Sequence, residues 1–408
     1  MKNITIILTF IFISCTSKLP LEPNVSLSVP KTESLSKNEK LLMNGVYSVT
    51  NGSDILGDEI VGRWIDSSWC LYSKHDVVFS ENMGGFDNDN SIFFSGYIRL
   101  VRSGGGIEIS LKIFPDEGAL DLKNNVRPAN LTIKVSTSEG EKIELHWARM
   151  LYDPVKKDSL KIGTNKEFNI IAHRGGGRNS ERLGKSENSI EMIKYADILG
   201  ANGVEIDVKR TRDRKLIIFH DDTFSPRTIQ GLYLLGKVEN FDLAQIQAFG
   251  RLIYNESIPT LKEALSEIIY HTNLKLVWLD IKDPDIVEDV IKTKISLQQN
   301  RNVEILLGIP NNEVLNSYLS CDLKDSIDVL IEFSHQQALN IKSCKVWAPR
   351  WTNGTNSAEV LSIHSAGKLV FTWTLDVKEY IQDYLYDNEV DGILSNYPSL
   401  VIGMEYSR

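Results

Sequence analysis

Cysteine is scarce in this chain, with four residues in 408: Cys15, Cys70, Cys321 and Cys344. None falls in a Cys-x-x-Cys pair, which argues against a zinc cluster. Cys321 and Cys344 could pair in an exported protein, but buried free thiols are the plainer expectation. Basic charge is not in excess either. Lys and Arg number 45 against 54 Asp and Glu, a net charge of -9. That balance argues against nucleic acid as a general partner. It does not bar an anionic substrate, because a bound metal reverses the field locally. Long apolar runs are also missing. The run Ile4 to Ile13 is interrupted by Thr5 and Thr9, and it falls well short of the roughly 20 residues that a membrane-spanning helix needs. There is no internal repeat.

What is present reads as a folded, multi-part protein. Hydrophobic residues make up 42% and charged residues 24%, ordinary for a globular chain. At roughly 150 residues per domain, two or three domains are expected, although one α/β barrel takes about 250 residues alone. Lys2, the short apolar run and the small residues after it have the pattern of a secretory signal. Phe12-Ile13-Ser14-Cys15 resembles a bacterial lipoprotein cleavage box. On that reading residues 1–15 are removed up to Cys15, which becomes the lipid-modified terminus. The protein is then an exported lipoprotein, periplasmic or outer-membrane-anchored, touching the membrane through its lipid. An ordinary cleaved signal with an incidental Cys15 is the alternative. Residues 16–40 are rich in Ser, Pro, Lys and Glu without periodicity, so a flexible tether is expected there.

Residues 41–150 show short alternating runs, such as Ile92 to Val101 and Ile107 to Phe114, broken by Gly104-Gly105-Gly106, Asp116-Glu117-Gly118 and Glu139-Gly140. This pattern predicts an all-β sandwich or barrel. Gly62-Arg63-Trp64 resembles the Gly-x-Trp that opens small lipid-binding β-barrels. Trp64 and Trp69 could mark a ligand site, with core packing as the plainer reading. Over residues 151–408 the periodicity changes to strands alternating with amphipathic helices. Eight strands are expected: Asn169 to Ala172, Val204 to Val208, Leu216 to His220, Leu274 to Lys282, Val303 to Ile309, Val329 to Phe333, Leu369 to Leu375 and Asp391 to Leu394. Repeated β-α alternation implies a parallel sheet, and eight such units fit a (β/α)8 TIM-type barrel. Lys345 to Pro349 reads as a short piece in a connecting loop.

In such a barrel the reactive groups sit at the C-terminal ends of the strands. There the sequence places His173 and Arg174, then Glu205 and Asp207, then His220, then Asp280 and Lys282. Residues two apart on a strand share a face, and the alternating Val204, Ile206 and Val208 turn Glu205 and Asp207 inward. Three clustered carboxylates repel one another without a cation. Oxygen ligands of this kind suit Ca²⁺ or Mg²⁺. Two histidines that titrate near neutrality can serve as acid and base. The set suits phosphodiester cleavage.

The ordered motifs resemble the glycerophosphodiester phosphodiesterases over residues 169–398. They are Ala172-His173-Arg174-Gly175, Glu187-Asn188-Ser189, Gly200 to Val208, Phe219-His220-Asp221, Ile258-Pro259-Thr260-Leu261, Trp373-Thr374 and Asp391-Gly392-Ile393 through Tyr397-Pro398. The resemblance implies His173 and His220 as the acid-base pair; His173 is preferred as base, and the sequence leaves the order open. It implies a divalent cation, Ca or Mg, on Glu205, Asp207 and Asp280. Arg174, Glu187, Lys282 and Trp373 would contact or position a small-molecule glycerophosphodiester. Three positions depart from the family pattern: Asp280 stands for Glu, Asp376 for Asn, and Asn396 for Asp. The competing functions are a phospholipase C or D acting on intact lipids, and a lipid- or glycan-binding lipoprotein with an inert barrel.

Overall fold

The protein is described from a computed structural model, over residues 32–101, 105–150, 168–231, 233–297, 303–354, 357–386 and 389–406. The expected signal with Cys15, and the tether up to residue 31, lie outside the described residues.

Eight antiparallel strands between Gly45 and Met150 close on themselves. The first, Gly45–Asn51, pairs both with the second, Glu59–Ile65, and with the last, Lys142–Met150. The all-β part is therefore a barrel and not a sandwich. Its interior is filled by rings. Trp69 is fully buried, stacked on Phe94 at 5.6 Å and met edge-on by Tyr47 at 5.9 Å. A Cβ on Gly62 would come within 2.9 Å of both the Trp69 and Tyr47 rings, so the glycine of the Gly-x-Trp motif makes room for core packing. Residues 32–40 are not free tether. Glu33 bridges to Phe86, Leu35 is buried, and Lys37–Met43 is a helix capped by Ser36 and Glu39. The Ser-x-x-Glu capping box satisfies the first free N–H groups of that helix, and Leu35 and Met43 supply its apolar anchor.

The second part is a closed barrel of eight parallel strands: β1 (Asn169–Ala172), β2 (Gly203–Arg210), β3 (Leu276–Ile281), β4 (Glu304–Ile309), β5 (Asp328–Ile331), β6 (Cys344–Trp347), β7 (Leu369–Thr372) and β8 (Gly392–Ser395). β1 closes the ring by pairing with both β2 and β8. Ile171, Trp278, Leu330, Phe371 and Leu394 fill the interior, while Val204, Ile206 and Val208 join the larger core outside the ring.

Two strand expectations need correction. Leu216–Ile218 is not a barrel strand; it pairs antiparallel with β2, Val208 opposite Ile218. Only residues 211–215 separate it from β2. That is too short for a parallel crossover, which takes a dozen residues or more. Cys344–Trp347, read as loop, is instead the sixth strand. Its four residues include the exposed Lys345, which interrupts the apolar run.

The two barrels share a core. Helix Pro398–Tyr406 is buried along most of its length. A Cβ on Gly403 would lie 2.6 Å from the Ser73 carbonyl, so the helix backbone rests on strand Ser68–Ser73. Tyr72 Oη donates to the Ile198 carbonyl at 2.8 Å. Cys70, Cys321 and Cys344 are free thiols. Among the described residues no helix is long and apolar enough to cross a membrane.

Candidate active site

The C-terminal ends of β1, β2 and β3 converge on one carboxylate cluster. Glu205 and Asp207 alternate on β2, and Asp280 lies directly opposite Asp207 in the β2–β3 register. One oxygen from each of the three lies within 4.8 Å of the others. Glu205 and Asp207 are both 2% exposed. Oε1 of Glu205 and Oδ1 of Asp280 are buried without a hydrogen-bond partner. Buried unpaired carboxylate oxygens are costly. Burial first, and the neighbouring carboxylates second, push Glu205 well above and Asp280 above the ordinary carboxyl range. A hard cation is the group that relieves both penalties, so the donor set fits Ca²⁺ or Mg²⁺. Lys282 supplies part of the counter-charge, with Nζ 2.9 Å from Asp280 and 3.5 Å from Asp207.

The turn after β1 feeds this cluster. Arg174 has φ +52, a left-handed conformation that is uncommon outside glycine. Its backbone N–H donates to Glu205 Oε2 at 2.8 Å. Its guanidinium donates to Glu187 at 2.9 Å and stands 4.0 Å from Asp207. Gly176 follows because a Cβ there would meet Met192 Sδ at 2.4 Å. Asn188 ties the turn to β2, accepting from the Asp207 N–H and donating to its Oδ2 at 2.9 Å.

Both histidines face this region, held by different partners. His173 Nδ1 is 2.7 Å from Asn396 Oδ1, and its Nε2 lies 3.8 Å from Glu205. Burial, assisted by Arg174, lowers His173 to about 4, so its ring is neutral around pH 7. His220 arrives on the hairpin return from β2, one residue after Phe219, whose N–H donates to the Asp207 carbonyl at 2.9 Å. His220 Nδ1 is 2.7 Å from Asp221, and Arg227 clamps Asp221 with two donors at 2.7 and 2.9 Å.

Glu187 is fully engaged. Arg174, Arg227 and the Asn179 N–H occupy both its oxygens, and it acts here as an anchor for two arginines. Trp373 is half-buried, its indole N–H bound to the Ala348 carbonyl at 2.8 Å and the Arg350 guanidinium 5.8 Å from its ring.

Two residues given no role from sequence matter here. Arg227 joins Asp221 to Glu187 from within a loop, where no strand-end signal could mark it. Glu332 directly follows β5 and carries a buried, unpartnered Oε1. Burial, and then the charge of Asp280, push it well above the usual carboxyl range. An acid immediately after Val329-Leu330-Ile331 was the signal available for it.

Residues 173–312 match the model of the Glycerophosphoryl diester phosphodiesterase family. A glycerophosphodiester phosphodiesterase of Caldanaerobacter subterraneus subsp. tengcongensis is 29% identical over 257 residues, covering 58% of this chain and 96% of that protein. A glycerophosphodiester phosphodiesterase of Bacillus subtilis is 25% identical over 258 residues, covering 56% of this chain and 84% of that protein. Among solved structures, an Oleispira antarctica phosphodiesterase in complex with the product sn-glycerol-3-phosphate is 24% identical with a TM-score of 0.46, covering 57% of this chain and 94% of that chain. Over residues 173–312 the chain is thus similar to the glycerophosphodiester phosphodiesterases, a family of hydrolases, and the two curated relatives extend that similarity over most of the parallel barrel.

Proposed function

We propose that the barrel hydrolyses glycerophosphodiesters to an alcohol and glycerol phosphate, with His173 as base, His220 as acid and a divalent cation on Glu205, Asp207 and Asp280. The observation that carries this reading is the buried carboxylate cluster with its two unpartnered oxygens, beside two histidines held in different ways. Bound there, the cation would offset the cluster's charge and stabilise the charge that builds on the phosphoryl oxygens. An amide oxygen on Nδ1 complements a neutral ring, which supports His173 Nε2 as the proton acceptor. A carboxylate on Nδ1 complements a positive ring, which supports His220 as the donor. His173 takes the proton of the attacking oxygen as its bond to phosphorus forms; that oxygen is either water, which gives glycerol phosphate directly, or the glycerol 2-hydroxyl, which gives a cyclic phosphate that a water molecule then opens to glycerol phosphate. The bond from phosphorus to the leaving alcohol breaks, and His220 supplies that oxygen with a proton. Arg174 and Lys282 are the cations nearest the cluster, and they would hold the remaining phosphoryl oxygens. Trp373 offers a flat face to the substrate.

The full chain, assayed on glycerophosphocholine, glycerophosphoethanolamine and glycerophosphoglycerol, is expected to release glycerol phosphate. EDTA should stop the reaction and added Ca²⁺ or Mg²⁺ should restore it. Hydrolysis of intact phosphatidylcholine alone would overturn the substrate assignment, and full activity after exhaustive EDTA treatment would overturn the cation.

We further propose that the chain is exported and lipid-anchored through Cys15, on the strength of the Ile13-Ser14-Cys15 box. Cys15→Ser is expected to move the protein from the membrane fraction to the soluble fraction. Equal membrane association of both forms would refute the anchor.

A further inference from the structure

Behind His173 lies a second hydrogen-bonded layer. Asp376 Oδ1 accepts from the Asn396 N–H at 2.8 Å and the Ser395 hydroxyl at 3.0 Å. Asp376 Oδ2 accepts from Asn396 Nδ2 at 2.6 Å. Asn396 is 2% exposed, and its remaining side-chain atom, Oδ1, is 2.7 Å from His173 Nδ1.

We propose that Asp376 and Asn396 are a positioning pair that decides which ring nitrogen of His173 carries its proton. The inference rests on His173 being the base. A carboxylate only accepts, so the Asn396 atom facing Asp376 is the amide nitrogen. The carbonyl oxygen must then face the histidine. An oxygen there requires a hydrogen on Nδ1, which leaves the Nε2 lone pair free toward the carboxylate cluster. Asp376 thus sets the histidine tautomer through one intervening amide, without touching the ring. The two positions are also interchangeable as a set. With Asn at 376 and Asp at 396, every hydrogen bond survives: the new amide nitrogen donates to the new carboxylate, and that carboxylate accepts from Nδ1.

Single changes break the chain in different ways. In Asp376→Asn two amide nitrogens meet across 2.6 Å, a contact that now lacks an acceptor. Asn396 relieves it by turning its amide, which puts a donor against Nδ1 and moves the ring proton to Nε2. In Asn396→Asp two carboxylates face each other at that distance.

The test compares Asp376→Asn, Asn396→Asp and the double exchange in the full, cation-loaded chain. Asp376→Asn is expected to lose on the order of a hundredfold in kcat, within the range of general acid-base catalysis, with KM little changed. The double exchange should recover to within about tenfold of wild type, since it restores the acceptor on Nδ1. Nitrogen-15 NMR of labelled histidine reads the tautomer without any turnover. It should report Nδ1–H at His173 in wild type and in the double exchange, and Nε2–H in Asp376→Asn. A wild-type tautomer in Asp376→Asn, or a double exchange no better than the worse single variant, overturns the proposal. An inactive wild type that still shows Nδ1–H at His173 counts against the proposed reaction and not against this pair.

Discussion

Glu205→Gln is expected to cost on the order of a thousandfold in kcat/KM and, in the cation-free protein, to raise the melting temperature. The two effects have one cause. Glu205 is buried, accepts one backbone hydrogen bond from Arg174, and leaves Oε1 without a partner beside Asp207 and Asp280. Without a cation the third negative charge is a liability. A neutral amide keeps an oxygen for the Arg174 N–H and removes the repulsion. With a cation the same charge is a ligand, and losing it removes several kcal/mol of transition-state stabilisation, where each 1.4 kcal/mol is about tenfold. Thermal scans with and without Ca²⁺ or Mg²⁺ separate this from simple damage. Wild type should gain stability on adding the cation and Glu205→Gln should not. A lower melting temperature for the cation-free variant would contradict the electrostatic account.

The contribution of Glu205 and Asp280 to the pH dependence of cation-free stability has a fixed sign. Glu205 and Asp280 have folded pKa values raised above the unfolded range. At these two groups the folded protein therefore holds extra protons, and their contribution to stability falls as pH rises from about 4 through those raised values. Glu205→Gln should flatten that fall. Denaturant midpoints measured between acid and neutral pH provide the check.

The second large effect concerns the histidines. His173→Ala and His220→Ala should each lose between about 10² and 10⁴ in kcat on glycerophosphocholine. The leaving group tells them apart. An aryl diester such as glycerophospho-p-nitrophenol expels a phenolate that needs no proton. His220→Ala should recover much of its rate on that substrate, while His173→Ala should not. The opposite pattern would exchange the roles of acid and base. The different partners of the two rings, Asn396 on one and the Arg227-clamped Asp221 on the other, are the physical reason for expecting this order.

The residues around the cluster show what sequence could carry. Glu205 and Asp207 were placed inward by a period of two and by the apolar Val204, Ile206 and Val208 between them. That is local information, because a strand fixes its own alternation. The places of His173 and Asp280, and the expectation of a divalent cation, followed from strand ends and carboxylate chemistry. The all-β nature of residues 41–150 was legible in the same way. Whether those strands closed into a barrel was not, since closure depends on the first strand pairing with the last across about a hundred residues.

Strand count failed where the signal was ambiguous. Leu216–Ile218 looked like a barrel strand because alternation is the same in parallel and antiparallel pairing; only the five-residue connection gave it away. Cys344–Trp347 looked like loop because it is short and carries an exposed lysine. The two errors cancelled, so the right total of eight concealed a wrong assignment. His220 kept its place at the mouth through a hairpin.

The departures at Asp376 and Asn396 illustrate the remaining division. Taken singly from sequence, each casts doubt on substrate preference. In the folded protein they are hydrogen-bonded to each other and then to His173, so they bear on the proposed base. The sequence by itself determined the proposed reacting groups and the strand faces they occupy, because those follow from residue chemistry and local periodicity. Only the tertiary structure decided their partners. Those contacts join residues up to 223 positions apart, and their geometry is set when the barrel closes.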